Sequence, residues 1–152
     1  MKIEHLYISP GHNFFGRHGL EAGTHPALEQ REIECVAGSG IKGDRFYDFK
    51  PDYKGQITFF SGEVYEELCE RLQVSDRGPE AFRRNVIVRG VDLNTLIGQE
   101  FEVQGVRFMG TGESKPCSWM NHAFAEGAEA LLQGRGGLRA RILTSGVLSV
   151  GK

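Results

Sequence analysis

Twenty-one glycines punctuate this chain of 152 residues, about twice the usual share, and they are spread along it rather than gathered into a linker. Glycine weakens the interior of a helix or strand and favours turns, so a chain interrupted this often is confined to short elements joined by tight turns. Between the glycines the residues alternate as strands do. Over residues 2–8, Ile3, His5 and Tyr7 share one side, and Ser9-Pro10-Gly11 then stops the run. Residues 31–37 place Ile33 and Cys35 on one face, and residues 56–60 are a short β-favouring run. Residues 85–89 hold Val86-Ile87-Val88, apolar on both faces as in a buried strand. Residues 100–104 and 106–110 alternate on either side of Gly105, which predicts a hairpin. In residues 138–143, Leu138, Ala140 and Ile142 alternate with Arg139 and Arg141, and residues 147–150 form a last strand. Short strands at this spacing predict a barrel or sandwich.

Two helices interrupt the pattern. Ser61 caps the first, with Glu63 in its opening turn and Val64, Leu68 and Leu72 repeating every four residues. Asn121 caps the second, which carries Phe124, Ala128, Leu131 and Leu132 on one stripe and ends at Gly134. Residues 10–32 show no periodicity and read as a long loop holding His12, His18 and His25.

Composition narrows the function classes. No apolar run exceeds three residues, which argues against a membrane-spanning helix or a signal-peptide core, and the opening Met1-Lys2-Ile3-Glu4 turns acidic too soon for a leader. The expectation is a cytoplasmic protein with no membrane partner. With 18 basic against 20 acidic residues the formal charge is −2, which argues against a nucleic-acid binder. The length fits one domain over residues 1–152 with a core of its own. Cys35, Cys69 and Cys117 are odd in number and form no Cys-x-x-Cys pair, so a zinc knuckle and a disulfide framework are poor readings. Cys35 and Cys69 fall on a strand face and a helix stripe and read as core.

Cys117 is different. It follows a proline in Gly112-Glu113-Ser114-Lys115-Pro116-Cys117, near a lysine and just before the second helix. A cation and a helix N-terminus both favour a thiolate, which can act as a nucleophile, a sulfur carrier or a ligand to a soft metal. An inert buried thiol is the competing reading. Three further segments suit an anion. Gly40-Ile41-Lys42-Gly43-Asp44-Arg45-Phe46 combines turn amides with cations, Phe82-Arg83-Arg84-Asn85 leads into the buried strand, and the segment from Gly134 to Arg141 carries Arg135, Arg139 and Arg141 without an acid. The glycines beside Arg135 suggest close approach by something flat or phosphorylated. Each segment alone has a bland reading as a turn or a solvated strand end.

Taken in order, Gly43-Asp44-Arg45-Phe46, Phe82-Arg83-Arg84-Asn85-Val86-Ile87-Val88, the run from Gly90 to Gly98, the Cys117 loop, and Gly136 to Ala140 leading into Gly146-Val147 resemble the MOSC domain. That family is named for the C-terminal domain of molybdenum cofactor sulfurases, and the resemblance covers roughly residue 30 onward, as in its small stand-alone members. It implies a mainly β fold, a distorted barrel with two or three short flanking helices. It also implies binding of the pterin-based molybdenum cofactor, with Cys117 as the metal ligand, Arg45 near the cofactor phosphate, and Arg83 and Asn85 at the strand mouth. The candidates for catalysis are then Cys117 and Glu113. Those for cofactor contact are Lys42, Asp44, Arg45, Arg83, Asn85, Lys115, Arg135, Arg139 and Arg141. Larger relatives carry a basic residue near the N-terminal strand, whereas Leu6-Tyr7-Ile8-Ser9-Pro10-Gly11 has none; His12, Arg17 and His18 are the nearby substitutes. The chain has no room for the pyridoxal-phosphate desulfurase domain of fused relatives.

Three functions follow. The first is a molybdenum-dependent oxidoreductase that reduces N-hydroxylated small molecules, fed by a separate electron-donor protein. The second is a sulfur carrier, with a Cys117 persulfide loaded by a desulfurase. The third is a metal-free cysteine enzyme, for which His122 is the nearest partner in sequence.

Overall fold

The computed structural model describes residues 1–10 and 27–151. The strands are β1 (Lys2–Ile8), β2 (Leu28–Gln30), β3 (Glu32–Val36), β4 (Gly40–Ile41), β5 (Ile57–Ser61), β6 (Val86–Arg89), β7 (Glu100–Val103), β8 (Val106–Glu113), β9 (Leu138–Ile142) and β10 (Gly146–Ser149). The helices are α1 (Gly62–Leu72), α2 (Trp119–Ala123) and α3 (Ala128–Leu131), with short 3-10 turns at Pro79–Phe82 and Leu93–Leu96. The fold is therefore mainly β. Seven strands form one sheet in the order β2-β1-β6-β5-β9-β8-β7, and three form a second in the order β10-β3-β4; neither closes on itself. The second sheet covers part of the first, so both contribute to one apolar interior, the distorted and open counterpart of a barrel.

The central strands face two cores. Ile57, Phe59, Val86 and Val88 point into the interior shared with Ile3, Ile33, Phe108 and Leu148. Their alternating neighbours Phe60 and Ile87 point to the opposite face, where Leu68, Phe82, Met120, Phe124 and Leu132 from the helical layer cover them. This explains the apolar run of β6: both its faces are buried, and its pairing with β5 is the parallel one in the sheet. Cys35 sits in the shared interior, where burial pushes its thiol up to about 12, and it is chemically inert.

Local chemistry places the elements. Gln104 and Gly105 have φ of 52° and 82°, so the β7–β8 turn needs left-handed backbone at both central positions, and glycine supplies the second without strain. In α1 the Ser61 hydroxyl accepts from Val64 N at 3.2 Å, as the capping pattern predicts. The second predicted helix is instead broken in two. Gly127 takes φ 95°, α2 ends before it, and α3 starts after it. The stripe survives because Phe124, Ala128 and Leu132 still reach the same core. Asn121 is not an N-cap: it lies inside α2, which Ser118 precedes, and its Oδ1 accepts from Glu129 N in the first turn of α3 at 2.9 Å. The residues read as a loop over 10–32 include strand β2, which pairs with β1. His12, Arg17, His18 and His25 lie outside the described residues.

Phe59 is fully buried between Phe101 and Phe108, at ring separations of 5.5 and 5.4 Å. Phe59→Ala is expected to lower unfolding free energy by about 3–5 kcal/mol in urea titration, and a loss under about 1 kcal/mol would contradict this packing.

Candidate functional site

The loop from β4 to β5, residues 42–56, crosses the mouth of the large sheet and brings Asp44 and Arg45 against β1 and the start of β6. A hydrogen-bonded knot fixes it there. Asp44 Oδ1 accepts from Ser9 N at 2.8 Å and from Asn85 Nδ2 at 3.3 Å, and Arg45 N donates to Ser9 O at 2.8 Å. Asn85 is used up by the same knot. Its Oδ1 accepts from Thr58 N at 2.9 Å and Thr58 Oγ1 at 3.0 Å, and its Nδ2 also donates to Tyr7 O at 3.2 Å. Asp44 and Asn85 are buried, and their polar atoms hold the site together. Ser9 clasps the loop through its backbone.

A second brace comes from Arg84, which is buried and points the other way. Its Nε donates to Gly136 O at 2.9 Å and its Nη1 to Phe82 O at 3.1 Å. Its Nη2 donates to Ser114 O at 3.0 Å and Lys115 O at 3.4 Å. One guanidinium thus joins the Cys117 loop, the start of β9 and the turn before β6. The close approach at the glycines beside Arg135 is made by the chain itself: a Cβ on Gly136 would stand 2.9 Å from Pro116 Cδ and would strike Ser114 O. Glu113 supports the same contact, accepting from Gly136 N at 3.2 Å.

Between the two braces lies a cleft of ≈ 130 Å³ lined by Arg45, Arg83, Arg84, Arg139, Tyr53 and Ser114 among others. Four arginines line it, and Asp44 is the single carboxylate in the described lining. Arg45 Nε and Nη1 are buried and have no hydrogen-bond partner among the described residues. Burial lowers the pKa of Arg45, Arg83 and Arg84, and the charge of Arg45 adds to the effect on the other two; Arg83 and Arg84 are pushed down to about 10. All three still carry their charge at neutral pH. Cations gathered out of water without enough counter-charge are costly unless an anion joins them.

The other expected contacts separate. Arg139 reaches the cleft, with its guanidinium 5.6 Å from the Tyr53 ring. Arg141, two residues on, is instead paired with Asp52 at 2.9 Å, which ties down the far end of the 42–56 loop. Arg135 makes two bonds to Glu67, at 3.0 and 2.6 Å, and fastens α1 to the turn before β9. Lys42 is exposed and paired with Glu34 at 2.9 Å. Lys115 is exposed and joins the brace through its carbonyl. Thr58 and Tyr53 are site residues that the sequence reading passed over, while Arg84 lies in the anion-suited Phe82–Asn85 segment and turns out to brace the chain.

Cys117 is exposed. The helix after it has five residues, too few for the strong N-terminal dipole the sequence suggested. The cations within electrostatic reach of it are Arg83 and Arg84. No hydrogen bond joins Cys117 to a histidine among the described residues; the His122 ring lies 5.7 Å from Trp119. The described residues contain no cluster of metal-binding side chains. No helix in the described residues is long and apolar enough to cross a membrane.

The MOSC domain family model matches residues 42–152, from the arginine loop to the end of the chain. The chain belongs to the MOSC domain family. Solved structures share the fold. The YuaD protein from Bacillus subtilis aligns with a TM-score of 0.72 at 20% identity, covering 98% of this chain and 91% of its own. YiiM from Geobacillus stearothermophilus gives 0.69 at 15% identity, covering 97% of this chain and 70% of its own. YiiM from Escherichia coli gives 0.66 at 15% identity, covering 98% and 66%, so this MOSC chain spans about two thirds of that protein. No curated protein sequence matches the chain.

Replacing Arg84 removes a buried cation but strands four carbonyls. Arg84→Met is therefore expected to cost about 2–4 kcal/mol of stability by chemical denaturation. A neutral substitution would show that the brace is dispensable.

Proposed function

We propose that this chain is a single MOSC domain that binds the pterin-based molybdenum cofactor and works as a molybdenum-dependent oxidoreductase on N-hydroxylated small molecules. The observation that carries the reading is the buried guanidinium of Arg45, with two unpartnered nitrogens inside a cleft lined by three more arginines. A phosphate monoester dianion matches that donor set, because its oxygens accept the bidentate pairs that arginine offers. In this reading the cleft takes the phosphate end of the cofactor. The rest of the cofactor would lie outside the cleft, on the side where Arg83 and Arg84 are close to Cys117.

In this reading Arg45, Arg83 and Arg139 hold the phosphate, while Arg84, Asp44 and Asn85 keep the cleft in shape. Cys117 would supply a soft thiolate ligand to molybdenum. The bound metal would supply two-electron oxygen-atom chemistry. Conversion of a hydroxylamine to an amine takes two electrons and two protons and releases water, and a separate donor protein supplies the electrons. The exposure of Cys117 also favours a second reading, a sulfur carrier whose persulfide is loaded by a partner desulfurase and passed to a metal centre.

Purified from a molybdenum-replete host, the wild type is expected to carry near-stoichiometric molybdenum by mass spectrometry. Cys117→Ala and Arg45→Gln should each lose most of it while staying folded. Metal-free wild type carrying sulfane sulfur on Cys117 would favour the carrier instead. Phosphate-monoester affinity should tighten as pH rises through about 6, where the dianion forms, and stay level to about pH 9 because the arginines remain charged. A profile that weakens over that span would contradict an arginine-held phosphate.

A further inference from the structure

Strand β8 carries an irregularity that the phosphate reading does not use. Phe108, Met109 and Gly110 face Ile142, Arg141 and Ala140 of β9 in regular antiparallel register, but the next pairs are Gly112 with Arg139 and Glu113 with Leu138. Thr111 is left over as a one-residue bulge. Bulges turn the side chains beyond them and are common next to binding sites. This one is locked by the chain around residue 98. Gly110 N donates to Gln99 O at 3.0 Å, Gly110 O accepts from Gly98 N at 2.8 Å, and a Cβ on Gly110 would strike Leu96 O.

The bulge changes what stands beside the arginines of β9. In unbroken register Thr111 would lie opposite Arg139; instead Gly112 does, and open space surrounds it. Arg141, on the same strand face, lies opposite Met109 and is paired with Asp52 at 2.9 Å. The bulge also takes the Thr111 side chain out of the ladder. Its Oγ1 lies 2.5 Å from Lys54 O and 3.0 Å from Arg139 O, and its one proton can be given to either carbonyl. Lys54 stands between Tyr53 and Gly55, the two residues on which the Arg139 guanidinium rests. Arg139 Cζ is 5.6 Å from the Tyr53 ring centre, and a Cβ on Gly55 would stand 3.1 Å from Arg139 Nε. Tyr53, Gly55 and Arg139 all line the cleft. Thr111 thus touches both the main chain of Arg139 and the loop segment that supports its side chain.

We infer that Thr111 is a positioning residue of the anion site: from the bulge in β8 its hydroxyl ties the 42–56 loop to β9 and so aims Arg139 into the cleft. This role rests on the phosphate reading of the cleft and adds to it a residue that touches no ligand. A planar guanidinium offers paired N–H groups to an oxyanion only when it is correctly turned, so a small loss of aim costs affinity. The fold does not depend on the same contact. Lys54 is exposed, so water can replace the hydroxyl at its carbonyl when the side chain is changed.

Calorimetric titration with inorganic phosphate at pH 7.5 tests the role. Thr111→Val keeps the branched shape and removes the hydroxyl, and it is expected to weaken binding about three- to tenfold. Its circular dichroism and melting temperature should stay near wild type. Thr111→Ser restores the hydroxyl and should bind within about twofold of wild type. Arg139→Lys keeps a cation but loses the planar fork, so in that background Thr111→Val should change affinity by less than about twofold, there being no guanidinium left to aim. A hydroxyl that only stabilised the fold would lower the melting temperature and leave phosphate affinity alone. Wild-type affinity in Thr111→Val, a serine variant as weak as the valine one, or the full loss repeated in the Arg139→Lys background would overturn the positioning role and leave the cleft standing. A wild type that binds no phosphate would instead overturn the phosphate reading on which the role rests.

Discussion

The structure around the site depends on one buried guanidinium. Arg84 donates to Phe82, Ser114, Lys115 and Gly136, carbonyls from three separated stretches of chain. The stretches lie at the end of the Pro79–Phe82 turn, just after β8 and just before β9. A hydrophobic side chain could fill the volume but could not answer four acceptors. The brace sets the position of the Cys117 loop relative to β9, and with it the distance between the thiol and the cleft. The charge of Arg84 is the cost of this solution, and burial lowers its pKa accordingly.

Its neighbours make the opposite use of the same chemistry. The Asp44–Asn85–Thr58 knot spends its hydrogen-bonding capacity within the protein, whereas Arg45, held by that knot through its backbone, keeps two nitrogens uncommitted in the cleft. Preorganisation follows from the contrast. The groups that fix geometry are satisfied, and the group that meets a ligand is not, so binding an anion requires little rearrangement.

Much of this architecture is legible in the sequence, for reasons particular to each element. Val86-Ile87-Val88 announces a strand buried on both faces, Gly105 a tight hairpin, and Ser61 with Glu63 a capped helix; each signal is local and the structure obeys it. The break at Gly127 is not legible, because Phe124, Ala128 and Leu132 satisfy helical spacing whether the helix is continuous or interrupted. The arginines show the same limit more sharply. Arg83 and Arg84 are adjacent, chemically identical and both at the cleft, yet the guanidinium of Arg84 is spent on four main-chain carbonyls. Arg139 and Arg141 share a strand face, yet Asp52 takes the second. Glu67, far away in sequence, takes Arg135. Which cation is free for a ligand is decided by tertiary partners, and spacing carries no record of those. The family motifs located the site despite this because they name the segments that meet, from Asp44-Arg45 through Arg84-Asn85 to the Cys117 loop.

The central claim is that the Arg45 cleft is an oxyanion site. A crystal structure of the protein grown with tungstate, a heavy tetrahedral dianion, tests it directly. The account predicts anomalous density in the cleft within hydrogen-bond distance of Arg45 Nε and Nη1, with the Arg84 and Asn85 bonds unchanged. A cleft without tungstate, with Arg45 turned outward or paired to a carboxylate of this chain, would contradict it.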